Sequence, residues 1–149
     1  MSDERDILED LRRRVAASPF HHGFGIEVVD ASRGEVRLRW EAHEEHLNLQ
    51  GLIHGGVLAT LADTAMGLAV RSAMRPGRRH VTIELGVHYL RPARPGPLEA
   101  VGKAVRVGTQ VAYAEADVRD HEGRLLARAN GTYSVGSLKE PQGRPGEDQ

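Results

Sequence analysis

A histidine, two glycines and an aspartate lie close together in the chain and could act jointly on a carbonyl group. His54, Gly55 and Gly56 precede an apolar segment that contains Asp63. Glycines that open a helix leave its first backbone N–H groups unshielded, and no intrahelical carbonyl accepts from them. Those N–H groups and the positive end of the helix dipole can bind an anion or a polarised carbonyl oxygen. Asp63 could then attack the carbonyl carbon or activate a water molecule.

The segment that carries Asp63 is predicted to be one long helix ending near Met74. About 20 residues at 1.5 Å each make a helix of roughly 30 Å. Asp63 lies among Thr60, Thr64 and Gly67, a small and weakly polar face that we expect to meet another surface closely. The opposite, alanine-rich face should be buried under a sheet, because its residues recur at spacings of three and four: Leu58, Leu61, Ala62, Ala65, Leu68, Ala69 and Ser72.

Taken singly, each of these features has an ordinary structural explanation. Paired glycines before a helix often only form a turn. A histidine in that place is more often a loop residue than a catalyst, and an aspartate within a helix usually faces solvent because a charge is costly to bury. The whole pattern is more specific than its parts, and it consists of Asn48, Gly51, His54-Gly55-Gly56 and Asp63 at fixed spacing.

This pattern resembles the hotdog-fold acyl-coenzyme A thioesterases of the phenylacetic-acid-degradation (PaaI-like) type. Two segments match that family in residue type and spacing, NLQGLIHGGVLATLADTAMG and VTIELGVHYLRPARPG. The resemblance extends over residues 18–136. It implies hydrolysis of acyl-coenzyme A thioesters, with aryl-acetyl or medium-chain acyl groups as the expected substrates.

The resemblance also implies roles for individual residues. Asp63 would be the nucleophile or general base, and the Gly55 N–H would polarise the thioester carbonyl. Asn48 and His54 would support the thioester and the loop, and Thr82 would place the attacking water. Both an anhydride intermediate and direct attack by water are compatible with these roles. No G-x-S-x-G elbow for a serine nucleophile is present.

Substrate binding is assigned to two glycines and two arginines: Gly51, Gly56, Arg91 and Arg94. Coenzyme A is anionic, so a rim of basic residues is expected, although either arginine could equally be an ordinary solvated charge. Coenzyme A enters as part of the substrate, and no other cofactor is expected. A metal is not expected either, because His21-His22 lacks further ligands at the required spacing.

Composition restricts the remaining possibilities. The 149 residues suggest one folded domain, and the absence of cysteine excludes a disulfide framework, a thiol nucleophile and thiolate metal sites. The formal charge of −1, with no basic stripe or aromatic platform, argues against nucleic acid. No apolar run approaches the roughly 18 residues that span a membrane, so we expect a cytoplasmic protein.

The predicted architecture is α+β, with a twisted antiparallel sheet wrapped around the long helix, the arrangement known as a hotdog. An amphipathic helix would occupy residues 1–17, the hotdog domain residues 18–136 and a disordered tail residues 137–149. Two strands should precede the long helix, at 25–30 and 35–40, and a four-strand meander should follow it. The strands of that meander are predicted at 81–89, 98–107, 112–119 and 125–135.

The expected active site belongs to two chains. Gly55 and Asp63 are eight residues apart, about 12 Å along one helix, whereas a reacting carbonyl must lie roughly 3 Å from both its donor and its attacking group. The resemblance implies a homodimer that pairs its sheets side by side, often as a dimer of dimers. Two alternatives remain: a hotdog dehydratase or hydratase, for which His88 and Glu84 share a strand face, and a non-catalytic acyl-coenzyme A sensor.

Overall fold

The computed structural model describes residues 4–137, which form a six-stranded antiparallel sheet and one long helix. Ser137 ends the last strand, and residues 138–149 of the predicted tail lie outside the described residues. The elements in chain order are α1 (Glu4–Ala17), α2 (Pro19–Phe24), β1 (Glu27–Ser32), β2 (Glu35–Ala42), a 3-10 turn (Glu44–His46), α3 (Gly55–Ala73), β3 (Arg78–Tyr89), β4 (Gly96–Val107), β5 (Val111–Asp120) and β6 (Leu125–Ser137).

The spatial order of the strands is β1-β2-β4-β5-β6-β3. The prediction of a four-strand meander is therefore wrong for β3, which pairs with β6 instead of β4. Strands β4, β5 and β6 do form a meander, because short turns connect them. Between β3 and β4 the chain instead passes through a proline-rich connection, from Leu90 to Pro95, and crosses from one edge of the sheet to pair with β2.

Helix α3 packs against all six strands, which explains its small buried residues. The closest approach is at Gly102 of β4, where an added Cβ atom would lie 2.2 Å from the carbonyl oxygen of Ala65. Around this contact the core is aliphatic, with Leu38, Leu61 and Met66 among its fully buried side chains. Burying one such side chain contributes about 1.5–3 kcal/mol, so the helix is fixed firmly on the sheet. The predicted hotdog fold is confirmed.

A β-bulge in β3 changes which of its residues face the helix. The pairing with β6 shifts between Thr82 and Glu84, which leaves Ile83 as the extra residue. Before the bulge, His80 and Thr82 contact α3 or its side chains; after it, Tyr89 does. Such a bulge bends the strand and redirects side chains, and bulges are frequent beside functional sites.

Helix α2 was not predicted from the sequence. Ser18 caps it by accepting from the N–H of His21, and Pro19 occupies its first turn, where the missing N–H costs nothing. A helix of six residues is too short to show a periodic pattern. It places Phe20 and His21 at the wall of the cleft that contains Asp63.

Candidate active site

Asp63 is half-buried in the middle of α3, and two hydroxyl groups donate to its carboxylate. Thr82 Oγ1 lies 3.0 Å from Oδ1 and 3.3 Å from Oδ2. The Tyr133 hydroxyl lies 2.7 Å from Oδ1. Hydrogen bonds to an ionised carboxylate are short and strong, so both donors hold the group in one orientation.

Strand pairing brings these two donors together. Thr82 of β3 and Tyr133 of β6 are direct partners in the register of the two strands, and the bulge after Thr82 begins at that pair. Tyr133 is only 1% exposed, and its ring fills space left by Gly131, where a Cβ atom would lie 2.8 Å from the ring. The site therefore depends on a pairing between distant segments of the sequence.

Tyr133 remains a hydrogen-bond donor throughout the ordinary pH range. Burial raises the pKa of its hydroxyl, and the bond to the Asp63 carboxylate raises that pKa further. A phenol that keeps its proton can donate a hydrogen bond to the carboxylate, whereas a phenolate would repel it. No local pattern pointed to this residue, because Tyr133 follows Asp63 by 70 positions and lies outside both matching segments.

Two histidines lie near the carboxylate. Burial lowers the pKa of His80, with a further contribution from Arg71, and the negative charge of Asp63 opposes that shift. Burial likewise lowers the pKa of His21, again opposed by Asp63, and its Nδ1 lies 2.7 Å from Ser18 Oγ. Burial therefore favours the neutral form of both side chains, and neither was among the predicted site residues.

These residues line an open cleft of about 410 Å³ beside α3. Its polar groups are the Asp63 carboxylate, the side chains described above, and the hydroxyls of Thr60 and Thr64, which donate to backbone carbonyls one turn earlier in α3. Phe20, Leu68 and the bare backbone of Gly67 supply its apolar surface. At Gly67 a Cβ atom would lie 3.0 Å from His80 Nε2, so glycine lets the imidazole pack against the helix. The cleft can hold a small apolar group next to a carboxylate.

The N-terminus of α3 offers one uncommitted donor. His54 caps the helix: its Nδ1 accepts from the Gly56 N–H at 2.9 Å, and its carbonyl oxygen accepts from Val57. Within residues 4–137, the Gly55 N–H has no acceptor. The Tyr89 hydroxyl donates to the Gly55 carbonyl oxygen at 2.6 Å and holds this residue in place. Of the two glycine N–H groups considered from the sequence, Gly55 is therefore the one available to a substrate.

Asn48 and Gly51 shape the loop that precedes the helix. The Asn48 side chain accepts from the N–H groups of Gln50 and Leu52, and its own N–H donates to the Leu52 carbonyl oxygen at 2.7 Å. Gly51 has a φ of 77°, which is unfavourable for other residues. Both residues thus fix the approach to His54 within the chain.

Arg91 and Arg94 lie in a separate cleft of about 410 Å³ between the β3–β4 connection and the β5–β6 turn, which contributes Asp120, His121 and Arg124. Pro92, Pro95 and Leu98 form part of its apolar surface. A backbone bond of 2.9 Å from the Ile53 N–H to the Ala93 carbonyl oxygen ties this arginine loop to the residues before the helix. The arginines are therefore next to the Gly55 end of α3 and apart from Asp63.

The structure does not bring Gly55 and Asp63 of one chain together, because both belong to the same continuous helix. Their separation is about 12 Å at 1.5 Å per residue. Among residues 4–137 there is no group of three side chains placed to hold a metal ion. The same part of the chain has no helix that is long and apolar enough to cross a membrane.

An antiparallel sheet around a long helix, with a free N–H at the helix start and a carboxylate in its middle, defines a hotdog thioesterase. The family model described as thioesterase superfamily matches residues 50–127. The chain belongs to the thioesterase superfamily, and it is a hydrolase that acts on thioester bonds.

Individual relatives agree with this assignment. A Halobacterium salinarum protein, named only as an unconfirmed esterase, is 48% identical over 122 residues, which are 74% of this chain and 80% of that protein. Human acyl-coenzyme A thioesterase 13 is 27% identical over 136 residues, 89% of this chain and 96% of that enzyme. The crystal structure of a Haemophilus influenzae thioesterase has a TM-score of 0.79 at 27% identity and covers 89% and 92% of the two chains.

Proposed function

We propose that this protein hydrolyses acyl-coenzyme A thioesters to a free acid and coenzyme A, with aryl-acetyl or medium-chain acyl groups as substrates. The observation that carries the proposal is the Asp63 carboxylate, oriented by Thr82 and Tyr133 at the wall of a cleft with apolar surface. A carboxylate in this setting attacks the thioester carbon or removes a proton from an attacking water. The sulfur leaves with the bonding electrons and is protonated to the thiol.

The second catalytic group is a backbone donor for the carbonyl oxygen. The Gly55 N–H is free within the described chain and lies at the positive end of α3. Such a donor stabilises the negative charge that develops on the oxygen during attack. Because Asp63 of the same chain is too distant, we propose that the donor comes from a second copy in a homodimer with two shared sites.

Strand β3 supports this dimer, because it is an edge of the sheet with exposed apolar side chains. Val81 is 66% exposed and Ile83 is 60% exposed. An uncovered edge of this kind tends to pair with another strand. Pairing of two β3 strands about a twofold axis would place the small residues of the two α3 helices face to face. A further association into a dimer of dimers is proposed from the family resemblance alone.

The cleft lined by Arg91 and Arg94 is proposed to bind the phosphates of coenzyme A. The coenzyme A ester should then be a better substrate than a short thioester with the same acyl group. That advantage should shrink as salt rises, because exposed charges are screened over about 8–10 Å at moderate ionic strength. Equal rates on both thioesters at every salt concentration would contradict the proposal that Arg91 and Arg94 bind the phosphates.

The decisive experiment is a panel of acyl-coenzyme A esters with thiol release as the readout. Asp63→Ala and Asp63→Asn should lower kcat by about 10²–10⁴-fold, the usual contribution of one acid–base group. Glu27→Gln is the matched control, since it removes one exposed carboxylate on β1. Release at the wild-type rate by the Asp63 variants would contradict the role of this residue, and binding without any release would favour the acyl-coenzyme A sensor.

The dehydratase alternative has no support from the site. His88 and Glu84 are exposed, and His88 lines an outer cleft with Lys103 and Glu115 instead of the cleft that contains Asp63. We therefore retain the PaaI-like type of thioesterase as the proposed subfamily. A cytoplasmic location, and a requirement for no cofactor beyond the coenzyme A of the substrate, stay predictions.

A further inference from the structure

The cleft beside Asp63 continues along α3 into a second cleft. Leu68 and His80 line both of them, so the two form one groove. The second part has a volume of about 480 Å³, and its other lining residues come from α1, the Ser18 junction, the last turn of α3 and the start of β3: Arg14, Ala17, Ser18, Arg71 and Arg79. The groove therefore runs from a carboxylate at one end to three arginines at the other.

The arginine end carries uncompensated positive charge. Arg14 is bound by Asp10 at 2.8 Å, whereas Arg71 and Arg79 form no ion pair with any carboxylate in the part of the chain that the structure describes. Arg71 is half-buried, and one of its nitrogens donates to the Arg78 carbonyl oxygen at 2.5 Å. Half-buried guanidinium groups favour a carboxylate partner, because Arg presents a planar fork of donors.

The length of the groove selects the ligand. Arg71 follows Asp63 by eight residues, about 12 Å along the helix. Arg71 lines the second cleft together with Leu68, and its guanidinium is held on the Arg78 carbonyl oxygen at that end of the groove. The thioester carbon must lie roughly 3 Å from the Asp63 carboxylate and the distal carboxylate about 3 Å from the guanidinium, so about 6 Å remain between them, which an extended chain spans in about five bonds at roughly 1.2 Å a bond. The middle of the groove, where the two clefts meet, presents the aliphatic side chain of Leu68 and the imidazole of His80, and Phe20 adds apolar surface on the Asp63 side.

We infer that this groove selects acyl groups that carry a carboxylate at their far end, with Arg71 and Arg79 as the residues that bind it. The inference rests on the proposed thioesterase function and narrows its substrate to ω-carboxyacyl thioesters of about six carbons. The thioester carbon then lies at Asp63, the methylene groups lie along Leu68, and the distal carboxylate lies between the two guanidinium groups. A site that pairs a charged group rejects analogues without it, because the site's own charges stay unpaired.

Adipoyl-coenzyme A and hexanoyl-coenzyme A provide the test, since they differ only in a terminal carboxylate against a terminal methyl group. The wild-type protein should show kcat/KM at least about ten-fold higher for adipoyl-coenzyme A. Arg71→Gln and Arg79→Gln should each lower that ratio by about ten-fold, mainly through KM. Arg71→Lys keeps the positive charge but loses the planar set of guanidinium donors. It should therefore retain only part of the preference for adipoyl-coenzyme A.

Arg39→Gln is the matched control. Arg39 is an exposed arginine of β2 that lines neither part of the groove, and its loss should leave the ratio unchanged. Because Arg79 is exposed, its variant tests the inference even if the Arg71 variant does not fold. Equal use of both substrates by the wild type, or an unchanged ratio in Arg79→Gln, would overturn the inference.

Binding to Asp63→Asn separates this inference from the proposed function. The Asp63→Asn variant should bind both coenzyme A esters without hydrolysing them, so calorimetry can compare their affinities directly. Tighter binding of adipoyl-coenzyme A that disappears in Asp63→Asn/Arg79→Gln supports the groove even if the wild type releases no thiol from any ester. Equal affinities would overturn it even if hydrolysis is established.

Discussion

The Tyr133 hydroxyl donates to Asp63 Oδ1 at 2.7 Å and so connects strand β6 to the middle of the central helix. A second contact of 3.3 Å joins the same hydroxyl to the Asp63 carbonyl oxygen. Because Tyr133 is buried, it cannot easily move when a substrate enters. The carboxylate is therefore oriented before binding, which is the geometric condition for an efficient attacking or activating group.

Tyr133→Phe tests this orientation. The variant keeps the buried ring and removes only the donor to Asp63, so we expect kcat to fall by about ten-fold with little change in KM; a hydrogen bond to a charged group contributes about 1.5–3 kcal/mol. Steady-state kinetics with the best acyl-coenzyme A ester measure this effect. Tyr113→Phe, on an exposed tyrosine of β5, is the control. A Tyr133→Phe enzyme with the kcat of the wild type would show that Thr82 alone holds the carboxylate.

The long helix and the α+β class could be predicted from the sequence, because spacing along a helix is a local property. The pairing that sets Tyr133 beside Thr82 at the Asp63 carboxylate could not. Simple alternation in β3 groups Val81, Ile83 and Tyr89 on one face, yet Val81 and Ile83 are exposed while the Tyr89 hydroxyl bonds to Gly55. The bulge at Ile83 causes this change, and it depends on the partner strand.

Long-range strand pairing explains why other residues of the cleft were not predicted from the sequence. The pairing of β3 with β6 joins Thr82 to Tyr133, although β4 and β5 lie between them in the chain. No short turn connects the two strands, so the pairing has no local sequence signal. The same edge position places His80 against Gly67, a contact that only the packed helix creates. The motif therefore identified the residues on α3 and its preceding loop, whereas the sheet residues of the cleft, apart from Thr82, required the structure.

His80 should make the stability of the fold depend on pH. Burial lowers its pKa in the folded chain below the ordinary value of 6.5. As pH falls below 6.5, the unfolded chain therefore binds the proton first, and the free energy of unfolding decreases until the folded pKa is reached. Urea unfolding at pH 7.5 and pH 5.5 should show this loss in the wild type and a smaller loss in His80→Gln.

The exposed histidine of α2 provides the control for this measurement. His22→Gln should show the same loss of stability between the two pH values as the wild type. If His80→Gln and the wild type lose equal stability, the imidazole of His80 titrates alike in the folded and unfolded chains, and burial does not govern it.

Gly102→Ala should be strongly destabilising. The added methyl group would lie 2.2 Å from the carbonyl oxygen of Ala65, a backbone atom of α3 that cannot rotate away. Inserting a group into a packed core costs about 1–3 kcal/mol, so we expect a loss in this range from chemical denaturation. Gly136→Ala is the control, because no atom lies within 4 Å of its added Cβ. Equal stability of the two variants would mean that α3 does not rest directly on β4.

Complementation between two inactive variants tests whether the site is shared. Asp63→Asn removes the attacking carboxylate, and Gly55→Pro removes the free N–H at the first helical position, where proline is otherwise tolerated. A mixed dimer combines the intact Gly55 of one chain with the intact Asp63 of the other, so one of its two sites is complete. Random mixing makes half of the dimers mixed, and about a quarter of the wild-type activity should return.

Gly55→Ala controls for the bulk that the proline introduces. A Cβ atom at this position would lie 3.2 Å from the Tyr89 ring, so part of the loss in Gly55→Pro could come from that contact. Alanine makes the same contact but keeps the N–H, and it should therefore retain much more activity than proline. Recovery of activity must coincide with mixed dimers, which mass spectrometry of tagged chains can count. Verified mixed dimers without activity, or a fully active monomer, would place the donor and the carboxylate in some other arrangement than a shared site.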